Sequence, residues 1–445
     1  VPVTRLALLD QAAFLRLRAT GQGSVVQSTW VYDRDVDIDA LRTFNEHLAT
    51  GLLGRRIERS PLPFGRHRWV AGARVPGIDI VAASRPRDEI GTWVEQRARI
   101  TVDPERGPTF HLSAQPLDDG GTVISLVASH CVVDGLGLVT AIAEAVKGES
   151  REFGYPQPHS RGRWRAASED FIDALRAMPA VIRALIATLL ILLRLSPTAK
   201  APSTPPYCHQ DDAADQAGLG SVTIQTDAAA WDARARELGG SSNALCIAFA
   251  ARLADRMGRV QPDGSSVTVV LPVSERTADD GRANALSSIT ISVDSKAVLD
   301  DLIDVRADVK SRLTSLAEQP NELLAGLPLV PFTPRWLVRH TEGIAMATGQ
   351  LPVGCSNLGN FDSVIRRIDG GNATEVSMRL AEQGITRERI ERARGQLFCG
   401  TGAVNGSRFI TVVAYRCGAE NTAASTRELA GGALADLQLS ATTVR

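Results

Sequence analysis

The chain is short of lysine. Of its 49 basic residues only those at 147, 200, 296 and 310 are lysine, and 50 acidic residues leave a formal net charge of −1. No overall field therefore draws it to nucleic acid, and nucleic-acid partners are excluded as an expectation. Cysteine is sparse and scattered, at 131, 208, 246, 355, 399 and 417, with no C-x-x-C spacing. A disulfide framework and a thiol redox motif are excluded, and the thiols read as reduced and structural. Self-similarity at the about 20- to 50-residue periods of solenoids and propellers is absent. H-E-x-x-H, a Walker loop and G-x-S-x-G are missing, and His47, His67, His111, His159, His209 and His340 show no ligand spacing, so no metal is expected. No basic segment followed by an apolar one opens the chain, which makes a cytoplasmic location the default.

Long apolar runs are also lacking, with one near exception at 184–193, ALIATLLILL. Ten helical residues reach about 15 Å against a hydrocarbon core of about 30 Å, so the run cannot span a bilayer. It reads first as a buried or half-buried helix. The alternative is an interfacial surface that makes peripheral membrane contact through 179–195.

What is present is the composition of a folded protein, 44% apolar and 22% charged over 445 residues, long enough for two cores. The segment 196–218 has four prolines and little aliphatic bulk and reads as a linker. The chain then divides into 1–195, the linker 196–218, and 219–445. Residues 25–32 read as a strand, followed by a helix with Leu41, Phe44, Leu48 and Leu52 on one face, started by Asp37 or Asp39. Residues 110–117 and 122–128 form a hairpin around D118-D-G-G121, and the second arm is apolar enough to be buried on both faces. After it Leu138, Val139, Ile142 and Val146 recur at helical spacing, with Gly148 as the C-terminal cap. Beyond 218, strands are expected at 221–226 and 267–271 and helices at 227–238 and 243–257. Near the end, 397–404 and 409–415 flank Asn405-Gly406, the favoured pair for a two-residue hairpin turn. Alternation of strand and helix makes the fold class α/β.

S129-H-C-V-V-D-G135 joins the buried strand to the helix that follows. His130 is thus held at the end of a rigid element, and imidazole is the side chain whose ordinary titration lies nearest neutral pH. Spacing alone leaves a structural, hydrogen-bonded histidine as the alternative. G135-L-G-L-V-T140 lacks the third glycine of a dinucleotide loop, and G400-T-G-A-V-N-G406 is better explained by backbone bending at the hairpin.

The segment S129-H-C-V-V-D-G135 resembles the H-H-x-x-x-D-G signature of the CoA-dependent acyltransferase superfamily, which includes chloramphenicol acetyltransferase, condensation domains and wax ester synthases. L8-L-D-Q-A-A-F-L15, L271-P-V-S-E-R276 with Asn284, and S356-N-L-G359 are similar, in the same order, to segments of the wax ester synthase/diacylglycerol acyltransferase branch. The chain departs from that branch at Ser129, which replaces the first histidine, at G107-P-T-F110 and at S242-N-A-L245. The acceptor thus stays open among lipids, glycolipids and specialised metabolites.

The resemblance implies two chloramphenicol-acetyltransferase-like α/β domains forming a pseudo-dimer with a central tunnel. It implies an O- or N-acyltransferase that moves an acyl group from acyl-CoA, or from the phosphopantetheine of an acyl carrier protein, to a hydroxyl or amine. No cofactor is held permanently. His130 would be the general base; Asp134, Gly135 and Arg276 would support its loop; Ser129, Ser356 and Asn357, or nearby backbone N–H groups, would contact the oxyanion or substrate. The alternatives are a non-catalytic condensation-like module that captures an acyl carrier or lipid, and a condensation domain proper.

Overall fold

The structure, a computed structural model, describes residues 4–72, 74–149, 151, 153–194, 217–277, 279–318, 324–346 and 351–445. The chain opens with α1 (Leu8–Thr20), β1 (Gly23–Tyr32), α2 (Ile38–Leu48), β2 (Arg55–Glu58), β3 (Arg68–Ala71), β4 (Ile78–Ile80) and α3 (Ile90–Ala98). The hairpin β5 (Phe110–Pro116) and β6 (Thr122–Ser129) leads to α4 (Gly135–Lys147) and α5 (Arg163–Arg194). From 217 onward come β7 (Gly220–Asp227), α6 (Ala228–Glu237), α7 (Ser242–Arg256), β8 (Ser266–Ser274), β9 (Leu286–Asp294), α8 (Ile303–Glu318) and α9 (Arg335–Met346). The last elements are β10 (Val353–Asn360), β11 (Glu375–Gln383), α10 (Arg387–Arg392), β12 (Gln396–Val404), β13 (Ser407–Tyr415), α11 (Ala423–Asp436) and β14 (Thr443–Val444).

Local chemistry explains most boundaries. Asp37 caps α2 by accepting from the N–H groups of Asp39 and Ala40. That helix ends at Leu48, and Leu52, expected as its next apolar rung, is buried in the separate turn Leu52–Gly54. Gly148 closes α4 at φ +70°, and Asn405 and Gly406, at φ +50° and +79°, make the β12–β13 turn.

Two mixed sheets result, one of five strands ordered β11-β1-β6-β5-β4 and one of seven ordered β14-β7-β13-β12-β10-β8-β9. β6 is the middle of the first, and all eight of its residues are buried, as its nearly continuous apolar run predicts. Trp30, Leu126, Leu41, Phe44, Leu138 and Ile142 join β1 and β6 to α2 and α4 on one face, while Trp93 and Val94 of α3 cover the other. In the second sheet the mainly apolar α7 is buried against β8, β9, β10 and β12.

The sheets do not divide where the composition does. β11 lies far beyond 219 in the chain, yet it pairs with β1 along nine residues, from Gly23 opposite Gln383 to Val31 opposite Glu375. The expected linker 196–218 falls outside the described residues except for Ala217 and Gly218. Composition marks where a chain is irregular, whereas strand exchange between sheets is a non-local pairing that leaves no compositional trace.

α5 also departs from expectation. The run 184–193 belongs to a 32-residue helix, and Leu185, Ile186 and Leu189 are 58%, 53% and 55% exposed. The helix is not buried. Among its described side chains, Ala166, Asp170, Val181 and Ala184 are the buried ones, and a ten-residue window that is apolar on every side carries no signal for which side is covered. No helix among the described residues is long and apolar enough to cross a membrane.

Candidate active site

His130 is the first residue past β6, and its main chain is fixed on both sides. Its N–H donates to the Ser24 carbonyl of β1 at 2.9 Å, and its own carbonyl accepts from the Asn284 side chain at 3.1 Å. Asn284 is held in turn by Asp10 of α1. That fully buried carboxylate accepts from the N–H groups of Ala283 and Asn284 and from the Asn284 amide, at 3.0, 2.8 and 3.2 Å. Burial pushes the Asp10 carboxyl above the usual carboxylate range, and its N–H donors and the Arg55 charge oppose that shift. The L-D opening of the chain and the residues before β9 thus meet behind the histidine.

Asp134 locks the other end of the loop. One carboxylate oxygen caps α4 by accepting from Gly137 N–H at 2.7 Å; the other accepts from Ala285 N–H at 3.0 Å and from Arg276 Nη2 at 2.7 Å. Both side chains are 8% exposed, so the pair sits in the interior and faces away from solvent. Arg276 also donates to the carbonyls of Arg282 and Ala283. The glycines of G135-L-G137 have steric reasons. A Cβ at Gly135 would stand 3.0 Å from Leu358, and one at Gly137 would stand 2.9 Å from Val133, 3.0 Å from the Asp134 carboxylate and 3.1 Å from the Arg276 guanidinium. Close packing, not a phosphate, accounts for that pattern.

Sequence reasoning did not single out Arg55 as part of this loop. It is buried against the Trp69 ring, 3.9 Å from guanidinium carbon to ring centroid, and donates to the Val132 carbonyl at 2.7 Å. Nor did it assign a role to Asp10, although the residue lies in a segment noted for its resemblance. The signal available was an acidic residue on an otherwise apolar helix face.

The half-buried His130 side chain lines a cavity of about 530 Å³ between the two sheets. α1 contributes Leu9, Ala12 and Ala13, the first sheet Val26, Met378 and Leu380, and the second Pro272, Leu358 and Phe398, so the walls are mainly apolar. Both ring nitrogens of His130 are without a protein hydrogen-bond partner among the described residues, which leaves them for whatever occupies the cavity. Cys131 also reaches the wall, but burial pushes its thiol up to about 12, so it stays protonated and is no nucleophile.

Ser356 and Asn357, on β10, also line the cavity. Asn357 Oδ1 accepts from Gly359 N–H at 3.0 Å, and its amide faces Asn243 Oδ1 at 3.4 Å. Asn357 still pairs with Thr401 of β12, but between Asn357 and Asn360 the pairing slips and Gly359 takes φ +77°, so Leu358 and Gly359 form a bulge directly after it. Asn243 belongs to S242-N-A-L245, which the sequence marked only as a departure. Ser129 corrects an expectation: it is 3% exposed, lies off the cavity, and its hydroxyl accepts from Cys131 N–H at 3.3 Å. As the last residue of β6 its side chain points into the turn, the opposite side from its neighbour His130.

No protein-family profile matches the chain, and no curated protein matches it. Solved structures do. The first condensation domain of the calcium-dependent antibiotic synthetase, in complex with a substrate analogue, aligns at a TM-score of 0.59 and 14% identity over 98% of this chain and 95% of that one. The trichothecene 15-O-acetyltransferase TRI3 from Fusarium sporotrichioides aligns at 0.56 and 10% identity over 97% and 94%. TRI101 from F. sporotrichioides, complexed with coenzyme A and T-2, aligns at 0.53 and 12% over 93% and 95%. Along nearly its whole length, the chain has the mixed α/β fold that condensation domains share with these acyltransferases.

Proposed function

We propose that the protein is an acyltransferase that moves an acyl group from a thioester to a hydroxyl or amine, with His130 as general base. The observation that carries this is an imidazole with unpartnered nitrogens, on a clamped backbone, facing a mainly apolar cavity between the two sheets. A thioester is already activated, so no covalent enzyme intermediate is needed, and a single base suffices. One His130 nitrogen takes the proton from the acceptor O–H or N–H as that atom attacks the thioester carbonyl. The tetrahedral intermediate then collapses, the C–S bond breaks, and the same proton passes to the departing sulfur.

Negative charge on the carbonyl oxygen calls for donors, and Ser356, Asn357 and backbone N–H groups are the proposed contacts; each fixed donor lowers the barrier by about 3 kcal/mol. Asp134, Gly135 and Arg276 hold the loop and take no part in the proton transfer. The donor is acyl-CoA or an acyl-carrier phosphopantetheine, used as a co-substrate. The apolar walls suit an acyl chain or a lipid, glycolipid or specialised-metabolite acceptor, in keeping with the wax ester synthase-like sequence features. In this scheme the cavity is the middle of a tunnel that takes donor from one face and acceptor from the other. The two halves are related acyltransferase-like units of a cytoplasmic enzyme, the second lending β11 to the first.

The test is release of free thiol and formation of ester or amide from acyl-CoAs of several lengths, with candidate alcohols and amines. Wild type should turn over, and His130→Ala should lose about 10²- to 10⁴-fold in rate at an unchanged melting temperature. Equal activity in the variant would exclude the base. Intact binding of an acyl thioester or carrier protein without turnover in either form would identify a capture module instead.

A further inference from the structure

We infer that α5 is a docking face for an anionic lipid surface, a property separate from the transfer chemistry. Phe171, Leu175, Met178, Ile182, Leu185 and Leu189 follow one another at alternating steps of four and three, and each is 36% to 58% exposed. Ile172, Ile186 and Leu190, 47%, 53% and 48% exposed, widen that stripe on one side. At 100° per residue the exposed apolar arc spans about 140° of the helix and runs about 30 Å along it. Trp164, on the same side near the start of the helix, is 91% exposed. The uncovered apolar area is on the order of 800 Å², beyond the few hundred Å² that a soluble protein ordinarily leaves bare.

Shape and charge decide between occupants. A partner helix takes a narrow seam, whereas this arc is broad and holds Pro179 within it, which breaks the regular rungs a coiled coil needs. From 174 to 194 the sequence contains no aspartate or glutamate, and Asp173, directly before it, lies off the arc, paired with Arg5 at 2.5 Å and with Arg176 at 3.7 Å. Arg176, with a 77% exposed side chain, and the exposed Arg183 stand along the edge of the arc beside Ile172 and Leu190. An apolar face edged by arginine and free of acid is the pattern of a helix lying in the plane of an anionic membrane, its stems along the acyl boundary and its guanidinium groups at phosphate depth. The same surface continues towards the active site. The turn Leu327–Phe332 packs on both α5 and α1, and α1 is a wall of the cavity that holds His130.

Co-sedimentation of the full chain with phosphatidylcholine vesicles and with mixed phosphatidylcholine–phosphatidylglycerol vesicles tests the assignment, with light scattering for mass in solution. Wild type should bind the mixed vesicles and bind the neutral ones less. Leu185→Ser/Leu189→Ser should weaken both by about tenfold or more. Arg176→Gln/Arg183→Gln should lower binding to the mixed vesicles alone by about tenfold. All four side chains are exposed, so melting temperature and transfer to a water-soluble acceptor should not change. Absence of vesicle binding, or equal binding to both vesicle types, overturns the assignment. So does a dimer in solution that the serine pair returns to a monomer, which would make the face a contact between copies.

Discussion

Removing the Asp134 carboxylate gives the sharpest test of how the histidine loop is held. Asp134→Ala would leave Arg276 buried and without its counter-charge, a loss that usually costs about 3–5 kcal/mol. The Arg276 Nη2 group keeps the carbonyls of Arg282 and Ala283 at 3.1 and 3.0 Å, which places the cost at the lower end. Loss of the α4 cap and an orphaned Ala285 N–H add about 1 kcal/mol each. The expected destabilisation of about 5 kcal/mol is close to the whole stability of many domains, so the milder Asp134→Asn is the useful probe. It keeps an oxygen for Gly137 N–H but puts an NH2 where Oδ2 accepts from Arg276 Nη2 and Ala285 N–H, so it loses the charge and those two bonds, at about 3 kcal/mol. Urea unfolding followed by the fluorescence of Trp30, Trp69 and Trp93, buried in the layers of the first sheet, reads the change.

Thioester turnover reads the displacement of His130, and placing Asp134→Asn in an Arg276→Met background separates pairing from capping. There the further loss should shrink to about 1 kcal/mol, that of the Ala285 N–H bond, because the charge has no partner left to lose. A change under about 0.5 kcal/mol in the wild-type background, with kcat/KM within about twofold, would show that the pair does not hold the loop.

Gly137→Ala should lower both stability and turnover, because its Cβ meets the Asp134 carboxylate and the Arg276 guanidinium. Gly431→Ala in α11, where a Cβ meets nothing within 4 Å, should instead stabilise by up to about 1 kcal/mol; equal thermal shifts would contradict the steric account. His67 and His111 should make the fold acid-sensitive. Burial pulls each down to about 4 from an ordinary 6.5, so the folded state favours the neutral ring. The stability this supplies is complete above about pH 6.5 and is lost as pH falls towards 4, at roughly a few kcal/mol for each ring. In its neutral form His67 Nδ1 also accepts from Ser60 N–H, a bond that protonation removes. The urea midpoint measured across that window should fall, with a shallower slope in His111→Asn; a flat profile would contradict it.

Much of this protein is written locally. Asp37 at the start of α2, Gly148 at the end of α4, Asn405-Gly406 between β12 and β13 and the apolar run of β6 each act over a few residues, so propensity and patterning suffice to read them. The placement of His130 between a buried strand and a helix was legible for the same reason. Pairings across the chain were not. Tertiary structure alone decided that β11 belongs beside β1, that Asp10 in α1 holds Asn284 behind the histidine, and that Arg55 anchors Val132. It also decided that Ser129 turns inward and that the Asn357 side chain meets Asn243. Those outcomes depend on which surfaces meet in space, and a buried hydrogen bond between residues more than 200 positions apart leaves no periodicity behind. α5 shows the same division. Its sequence determined a short apolar helical run at 184–193, but the length of the helix and how much of its face stayed uncovered were decided by the fold.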